Sequence, residues 1–189
     1  MSETKLESIL TFAYMMENQK PLLIKWLAQD HIREWLHGKG LQNTLNDLDQ
    51  FFAGSSLCKH WIAYSNGIPF GYLITSEVQK DSAEDADLAQ WCQEEGRAIT
   101  LDLFICDKRF LGKKLAVPMI QSFLLNHFSG VAEVLIDPEA TNARAIHVYE
   151  KAGFKIIGEF TAAWHPVRHY KMRLSMKELA LKSLELFKV

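Results

Sequence analysis

Residues 137–154 read Asp-Pro-Glu-Ala-Thr-Asn-Ala-Arg-Ala-Ile-His-Val-Tyr-Glu-Lys-Ala-Gly-Phe, and they leave the chain few folds to choose from. Asn142 is a good N-cap, because its side chain can accept from an N–H that the first helical turn leaves unpaired. Ala143 to Lys151 is a run of helix formers, with Ile146 and Tyr149 three apart and so on one face. Gly153 supplies the left-handed residue that ends a helix, and Phe154 starts a β-type run. Val131 to Ile136, just upstream, reads as a strand. Strand, polar turn, short helix, glycine and strand in that order predict an α/β fold.

The rest of the chain can be read in the same way. Ile9 to Met16 is a first strand, and Pro21 opens a helix containing Leu22, Leu23, Trp26 and Leu27. Asp30 caps a short helix holding His31, Ile32, Trp35 and Leu36, which Gly38 and Gly40 are expected to end. Thr44 begins a third helix with Leu45, Leu48, Phe51 and Phe52 on its buried face. His60 to Tyr64 and Phe70 to Thr75 form a hairpin around Asn66-Gly67, and Gly71 marks a bulge or a close approach. Lys80 to Arg97 is a polar, acidic loop anchored by Trp91 and Cys92. Ala98 to Cys106 is another β-run, and Leu111 to Phe128 is a helix whose Pro118 is tolerable only near its start. Ile156 to Thr161 and Val167 to Leu174 pair around a turn containing Pro166, and the tail from Ser175 is helical.

At 189 residues this is one domain's worth of chain, residues 1–189 with no linker to divide it. A net charge of −2 with scattered basic residues gives no reason to expect nucleic acid as a partner. Cys58, Cys92 and Cys106 form no Cys-x-x-Cys pair, and no histidine cluster has metal-ligand spacing, so no metal is expected. Reduced, mostly buried thiols point to a cytoplasmic protein. The acidic start with Glu3 and Glu7 does not read as a signal peptide. No apolar run is long enough to span a bilayer, so no membrane association is expected.

The loop Arg109-Phe-Leu-Gly-Lys-Lys joins a β-run to the long helix. A helix start preceded by a glycine offers unpaired backbone N–H groups and a positive dipole end, an anion site if a ligand uses it and a solvated basic loop if none does. The run from Asn142 to Phe154 resembles the last conserved segment of the GNAT superfamily of N-acetyltransferases, and the element order agrees with it along nearly the whole chain. The resemblance implies a mixed, mostly antiparallel central sheet flanked by helices, with acetyl-CoA as cosubstrate. It implies that Arg109, Leu111, Gly112, Lys113 and Lys114 hold the pyrophosphate, although Lys114 stands where the family has a small residue. Asn142 would border the same site. The thioester carbonyl would lie against the backbone of Leu103, Phe104 and Ile105. Tyr149 would stand near the sulfur as general acid, the alternative being a ring that packs between helix and sheet.

Three further segments are similar to the aminoglycoside 6'-N-acetyltransferases within that superfamily. They are the run from Pro21 to Trp35, the hairpin Asn66-Gly-x-Pro-x-Gly-Tyr, and Asp137-Pro138 followed by Asn142. This implies that Asp102 acts at the reacting amine and that Asp137 contacts a substrate amine. Trp35 and the loop residues Glu94 and Glu95 would line the acceptor site. A small-molecule amine, polycationic in the aminoglycoside case, suits several converging carboxylates. This chain departs from that pattern in having Leu36 where the family often has a second aromatic, and in the sequence of its acidic loop. A siderophore-type hydroxylysine acetyltransferase and a non-catalytic acyl-CoA-binding relative are the alternatives. The sequence leaves the oligomeric state open.

Overall fold

The computed structural model describes residues 8–83, 85–162 and 165–186. A seven-stranded sheet runs in the order β1-β2-β3-β4-β5-β7-β6. The strands are β1 (Leu10–Tyr14), β2 (Lys59–Ser65), β3 (Ile68–Glu77), β4 (Ala98–Ile105), β5 (Glu133–Ile136), β6 (Lys155–Ala162) and β7 (His165–Ser175). Every neighbouring pair is antiparallel except β4 and β5. The helices are α1 (Lys20–Leu27), α2 (Asp30–Arg33), α3 (Gly38–Phe52), α4 (Ala86–Ala89), α5 (Ala116–His127), α6 (Ala143–Ala152) and α7 (Met176–Leu186). The mixed, mostly antiparallel α/β architecture expected from the sequence is therefore present.

Alternation along the strands divides the core in two. Trp61, Ala63, Leu73 and Leu101 turn to one face, against Met119, Phe123 and Leu124 of α5, Tyr149 of α6 and Leu179 of α7. Ile62 and Tyr72 turn to the other, against Leu23, Trp26, Leu27, Ile32 and Leu48 of α1 to α3. A third, smaller cluster places Trp91 of the acidic loop against Val78, Ala98, Leu135 and Phe160.

The Asn66-Gly67 turn takes the positive φ values of a two-residue hairpin, 50° and 78°. The pairing shifts at Ala63/Tyr64, so that Phe70 is the extra residue of a bulge beside Gly71. Gly71 is also a close approach: a Cβ there would lie 3.1 Å from Met119 Sδ, 3.2 Å from the Phe104 carbonyl oxygen and 3.3 Å from Ala63 Cβ. The two readings of this glycine are thus both present at one position.

Some boundaries differ from the sequence reading. Gly38 and Gly40 open α3 instead of closing α2, since Gly38 adopts φ +52° and turns the chain into the next helix. The long helix starts at Ala116, after Gly112 and Lys114 have both taken positive φ, and Pro118 falls in its first turn as required. β7 begins at His165, so Pro166 is a strand residue; residues 163–164, which the expected turn includes, lie outside the described residues.

Two polar clusters pin the outer elements to the sheet. Tyr72 is held protonated by burial and donates its hydroxyl to His60 Nδ1, leaving His60 Nε2–H to donate to Asp47 on α3 at 2.7 Å. Glu133 on β5 is fully buried; it accepts from the Gln93 and Glu94 backbone N–H groups and from Arg173 at 3.2 Å.

A methyl at Gly71 has a flexible neighbour in Met119 but a rigid one in the β4 backbone. Gly71→Ala is expected to cost about 1–3 kcal/mol of unfolding free energy by overpacking, read from urea denaturation. Wild-type stability in that variant would contradict the packing described.

Candidate active site

β4 and β5 stay together for only three residue pairs, Ala98–Glu133 to Thr100–Leu135, and then separate. At one end of the uninterrupted β3–β4 register Val78 N–H donates to Ala98 C=O, and at the other Cys106 N–H donates to Phe70 C=O. Antiparallel pairs alternate, so the even-numbered residues of β4 spend their backbone groups on β3. The backbone groups of Leu103 and Ile105 therefore face the gap that β5 has left. The same alternation turns the Asp102 side chain toward the face covered by α1 to α3.

That gap is the floor of a cleft of about 980 Å³. One wall comes from α2 and the start of α3, including His31, Glu34, Trp35 and Lys39. The other comes from residues 110–116 and from α6, including Leu111, Gly112, Asn142 and Tyr149. Asp137, Glu139 and His169 close the side beyond β5.

Asp102 opens onto the cleft between its two walls, and poor solvation there pushes its carboxyl up to about 6. Its side chain is exposed to the cleft, and water in a walled cleft solvates a charge less well than bulk water does. Asp137 is pushed up to about 7, chiefly by burial and then by the charge of Asp102. Burial, with Asp102 and Asp137 adding to it, also raises the Tyr149 hydroxyl well above its ordinary value, so Tyr149 stays protonated. Two carboxyls and a protonated phenol thus share one electrostatic environment. Such a set can accept a proton at one point and donate one at another.

The turn before α5 offers donors. The backbone N–H groups of Gly112, Lys114, Leu115 and Ala116 make no hydrogen bond within the described residues, and all four residues border the cleft. Gly112 (φ +72°) and Lys114 (φ +60°) adopt the left-handed conformation that brings such groups together. Asn142 caps α6, its Oδ1 accepting from Ala145 N–H at 3.0 Å, and borders the cleft from there. These groups suit a diphosphate and an amide-bearing arm, the anionic and polar parts of acetyl-CoA.

Not every residue chosen from the sequence reaches this cleft. Asp102, Leu103, Phe104, Ile105, Leu111, Gly112, Lys114, Trp35, Asp137, Asn142 and Tyr149 all border it. Lys113 is exposed outside it. Arg109 is turned onto Asp107, with an ion pair of 2.6 Å, which leaves the turn's backbone rather than that guanidinium facing the cleft. Glu94 and Glu95 are the larger departure. Glu94 lies by Arg173 at 3.4 Å on the rim of a separate hollow, and Glu95 is exposed. Trp91 ties the acidic loop to Phe160, with Lys171 4.9 Å over its ring, and so draws the loop away from the cleft. Conversely, His31, Glu34, Glu139, Arg144 and His147 border the cleft without having been singled out. Glu34 and His31 share the run that ends at Trp35, and Glu139 is two residues past Asp137, so the signal was present in segments already recognised.

Comparison with known proteins agrees with this geometry. Residues 16–162 match the family described as an acetyltransferase (GNAT) domain. The chain is 31% identical to the aminoglycoside N(6')-acetyltransferase type 1 of Klebsiella pneumoniae over 159 residues, 80% of this chain and 77% of that protein. The crystal structure of an aminoglycoside N(6')-acetyltransferase from Legionella pneumophila superposes with a TM-score of 0.82 at 48% identity, covering 95% of this chain and 99% of that one. A structure of the aminoglycoside acetyltransferase AAC(6')-Ib with coenzyme A and kanamycin superposes with a TM-score of 0.72 at 25% identity, covering 89% and 96%. Among the described residues no helix is long and apolar enough to cross a membrane. A parted sheet, a donor-lined turn and a match over most of the length lead to one assignment: the chain belongs to the GNAT family of acetyltransferases.

Proposed function

We propose that this acetyltransferase moves acetyl from acetyl-CoA to the 6'-amine of an aminoglycoside, by direct attack within a ternary complex. The observation that carries the reading is the carboxyl pair Asp102 and Asp137 beside Tyr149 at the parting of β4 and β5. The similarity to 6'-acetyltransferases, one of them solved with kanamycin, supports the choice of acceptor.

Asp102 takes the proton that the attacking ammonium must lose, since above about 6 its carboxyl is ionised. Asp137, with Glu34 and Glu139 further along the wall, holds amines that do not react. Backbone N–H groups of the open β4 edge face the oxygen on which negative charge develops, and such donors cost no reorganisation at that moment. Tyr149, kept protonated by burial, donates to the departing thiolate. Cys106 is fully buried, with its thiol pushed up by that burial, which supports direct attack rather than an acyl-cysteine route. Gly112, Lys114, Leu115 and Ala116 bind the diphosphate through their unpaired backbone N–H groups.

Asp102→Asn keeps the size and removes the base, so turnover with a 6'-amino aminoglycoside is expected to fall by about 10²–10⁴-fold. Asp137→Asn is expected mainly to raise the acceptor's KM. The base must be ionised, so wild-type kcat/KM should decline as pH drops through the range set by about 6 and about 7, the pair titrating together. Acceptors carrying a 6'-hydroxyl should give no product. A wild-type protein that ignores 6'-amino aminoglycosides but acetylates hydroxylysine would overturn the acceptor assignment and leave acetyl transfer standing.

Tyr149→Phe retains the edge-on packing against Phe154 and loses only the donor. Turnover is expected to fall at least about tenfold with little change in coenzyme affinity, measured by single-turnover kinetics and calorimetry. Unaltered chemistry in that variant would return Tyr149 to a packing role.

A further inference from the structure

The α1–α2 junction and the first turn of α2 reach across to the far end of β4. Gln29 Nε2 donates to the Cys106 carbonyl at 2.8 Å, and His31 Nε2 lies 3.2 Å from the Ile105 carbonyl oxygen. A carbonyl can only accept, so the His31 ring carries its proton on Nε2, and Nδ1 is left as an acceptor. That Nδ1 is buried and has no hydrogen-bond partner among the described residues. The contact to Ile105 is therefore the ring's one hydrogen bond among the described residues.

Ile105 is on the open edge of β4, where β5 has turned away. Along such an edge the carbonyls of Leu103 and Ile105 are available acceptors and their N–H groups available donors. The arm of acetyl-CoA contains amides, and a chain of amides laid on a strand edge can pair in more than one register. A carbonyl oxygen can accept twice, so a register that needs the Ile105 carbonyl must share it with His31 and approach from the side that His31 leaves open. A slip along the edge would move the thioester away from Asp102 by a substantial fraction of a residue repeat, about 3.3 Å per residue, which is enough to separate reacting atoms.

We infer that His31 is a positioning residue: by occupying the Ile105 carbonyl it sets the register in which acetyl-CoA pairs with the open edge of β4. The inference rests on the acetyltransferase reading above. It also gives α2 a second task, since the helix that presents this hydrogen bond leads directly to Glu34 and Trp35 on the acceptor wall. Coenzyme register and acceptor wall are thereby fixed by one short segment.

The test joins a spectroscopic measurement on the wild-type protein with two variants. Nitrogen-15 NMR of labelled histidine is expected to find His31 protonated at Nε2 and bare at Nδ1; the opposite tautomer overturns the inference. His31→Phe keeps a ring and drops the donor. Its turnover is expected to fall about tenfold or more, while its Kd for acetyl-CoA moves less than about threefold, because a slipped arm still binds. His31→Gln carries an amide nitrogen that can reach the same carbonyl and is expected to restore most of the lost turnover. Wild-type turnover in His31→Phe, or an equal loss in both variants, overturns the inference. A wild-type protein with no turnover on any amine would instead fail the acetyltransferase reading, a result distinct from an active wild type with indifferent variants.

Discussion

The parting of β4 from β5 is the constraint on which the other features of this molecule depend. A strand inside a sheet has all its backbone groups paired, and here β4 loses its second neighbour after three residue pairs. The freed groups of Leu103 and Ile105 must be met by water, by side chains or by a ligand. His31 meets one of them. The others line a cleft whose walls are the helices that each half of the sheet already carries, α2 and α3 on one face and α6 on the other. Because side chains alternate along a strand, the open backbone edge proposed for the coenzyme and the Asp102 carboxyl proposed for the acceptor come from consecutive residues of the same strand.

The site is held against its own electrostatic cost. Asp102 and Asp137 have pKa values raised by poor solvation, and for Asp137 also by the neighbouring charge. A carboxyl whose folded pKa lies above its unfolded value binds its proton more tightly when folded. The pair therefore favours the folded state as pH falls from about 7 toward the ordinary carboxylate range, and weighs against it when both are ionised. Packing elsewhere offsets this. Glu133, fully buried, has two backbone N–H groups and Arg173 as partners, and secures β5 to β7 and to the acidic loop beside the gap. Of these three acids, the one away from the cleft is fully partnered, and the two at the cleft are not.

Much of this was legible in the sequence, for local reasons. Asn142 at an N-cap, Gly153 at a left-handed C-cap (φ +118°) and Asn66-Gly67 in a hairpin turn are each required by backbone geometry, and each stands where its residue type demands. Asp102 was named through the resemblance to the aminoglycoside 6'-N-acetyltransferases, and it borders the cleft. What could not be read depends on contacts distant in sequence. Glu94 and Glu95 had the right charge, but Trp91 anchors their loop on Phe160 and Lys171, residues far downstream. Arg109 matched a motif, yet its charge is spent on Asp107 two residues away, and the backbone beside it carries the available donors. Gly38 and Gly40 could equally end one helix or begin another, and only the tertiary placement of α3 decides between them. His31 lies within a recognised run, but what sets it apart is its contact to the Ile105 carbonyl, and no side-chain pattern announces a backbone partner.

The central claim is that the open edge of β4 is where acetyl-CoA binds, and residue-resolved amide hydrogen exchange tests it most directly. With acetyl-CoA added at a concentration that calorimetry shows to be saturating, the Leu103 and Ile105 N–H groups are expected to slow markedly. The β4 amides already bonded to β3 should change little. Saturating coenzyme that left Leu103 and Ile105 exchanging as fast as before would contradict the account, because the gap between β4 and β5 would then not be the coenzyme's seat.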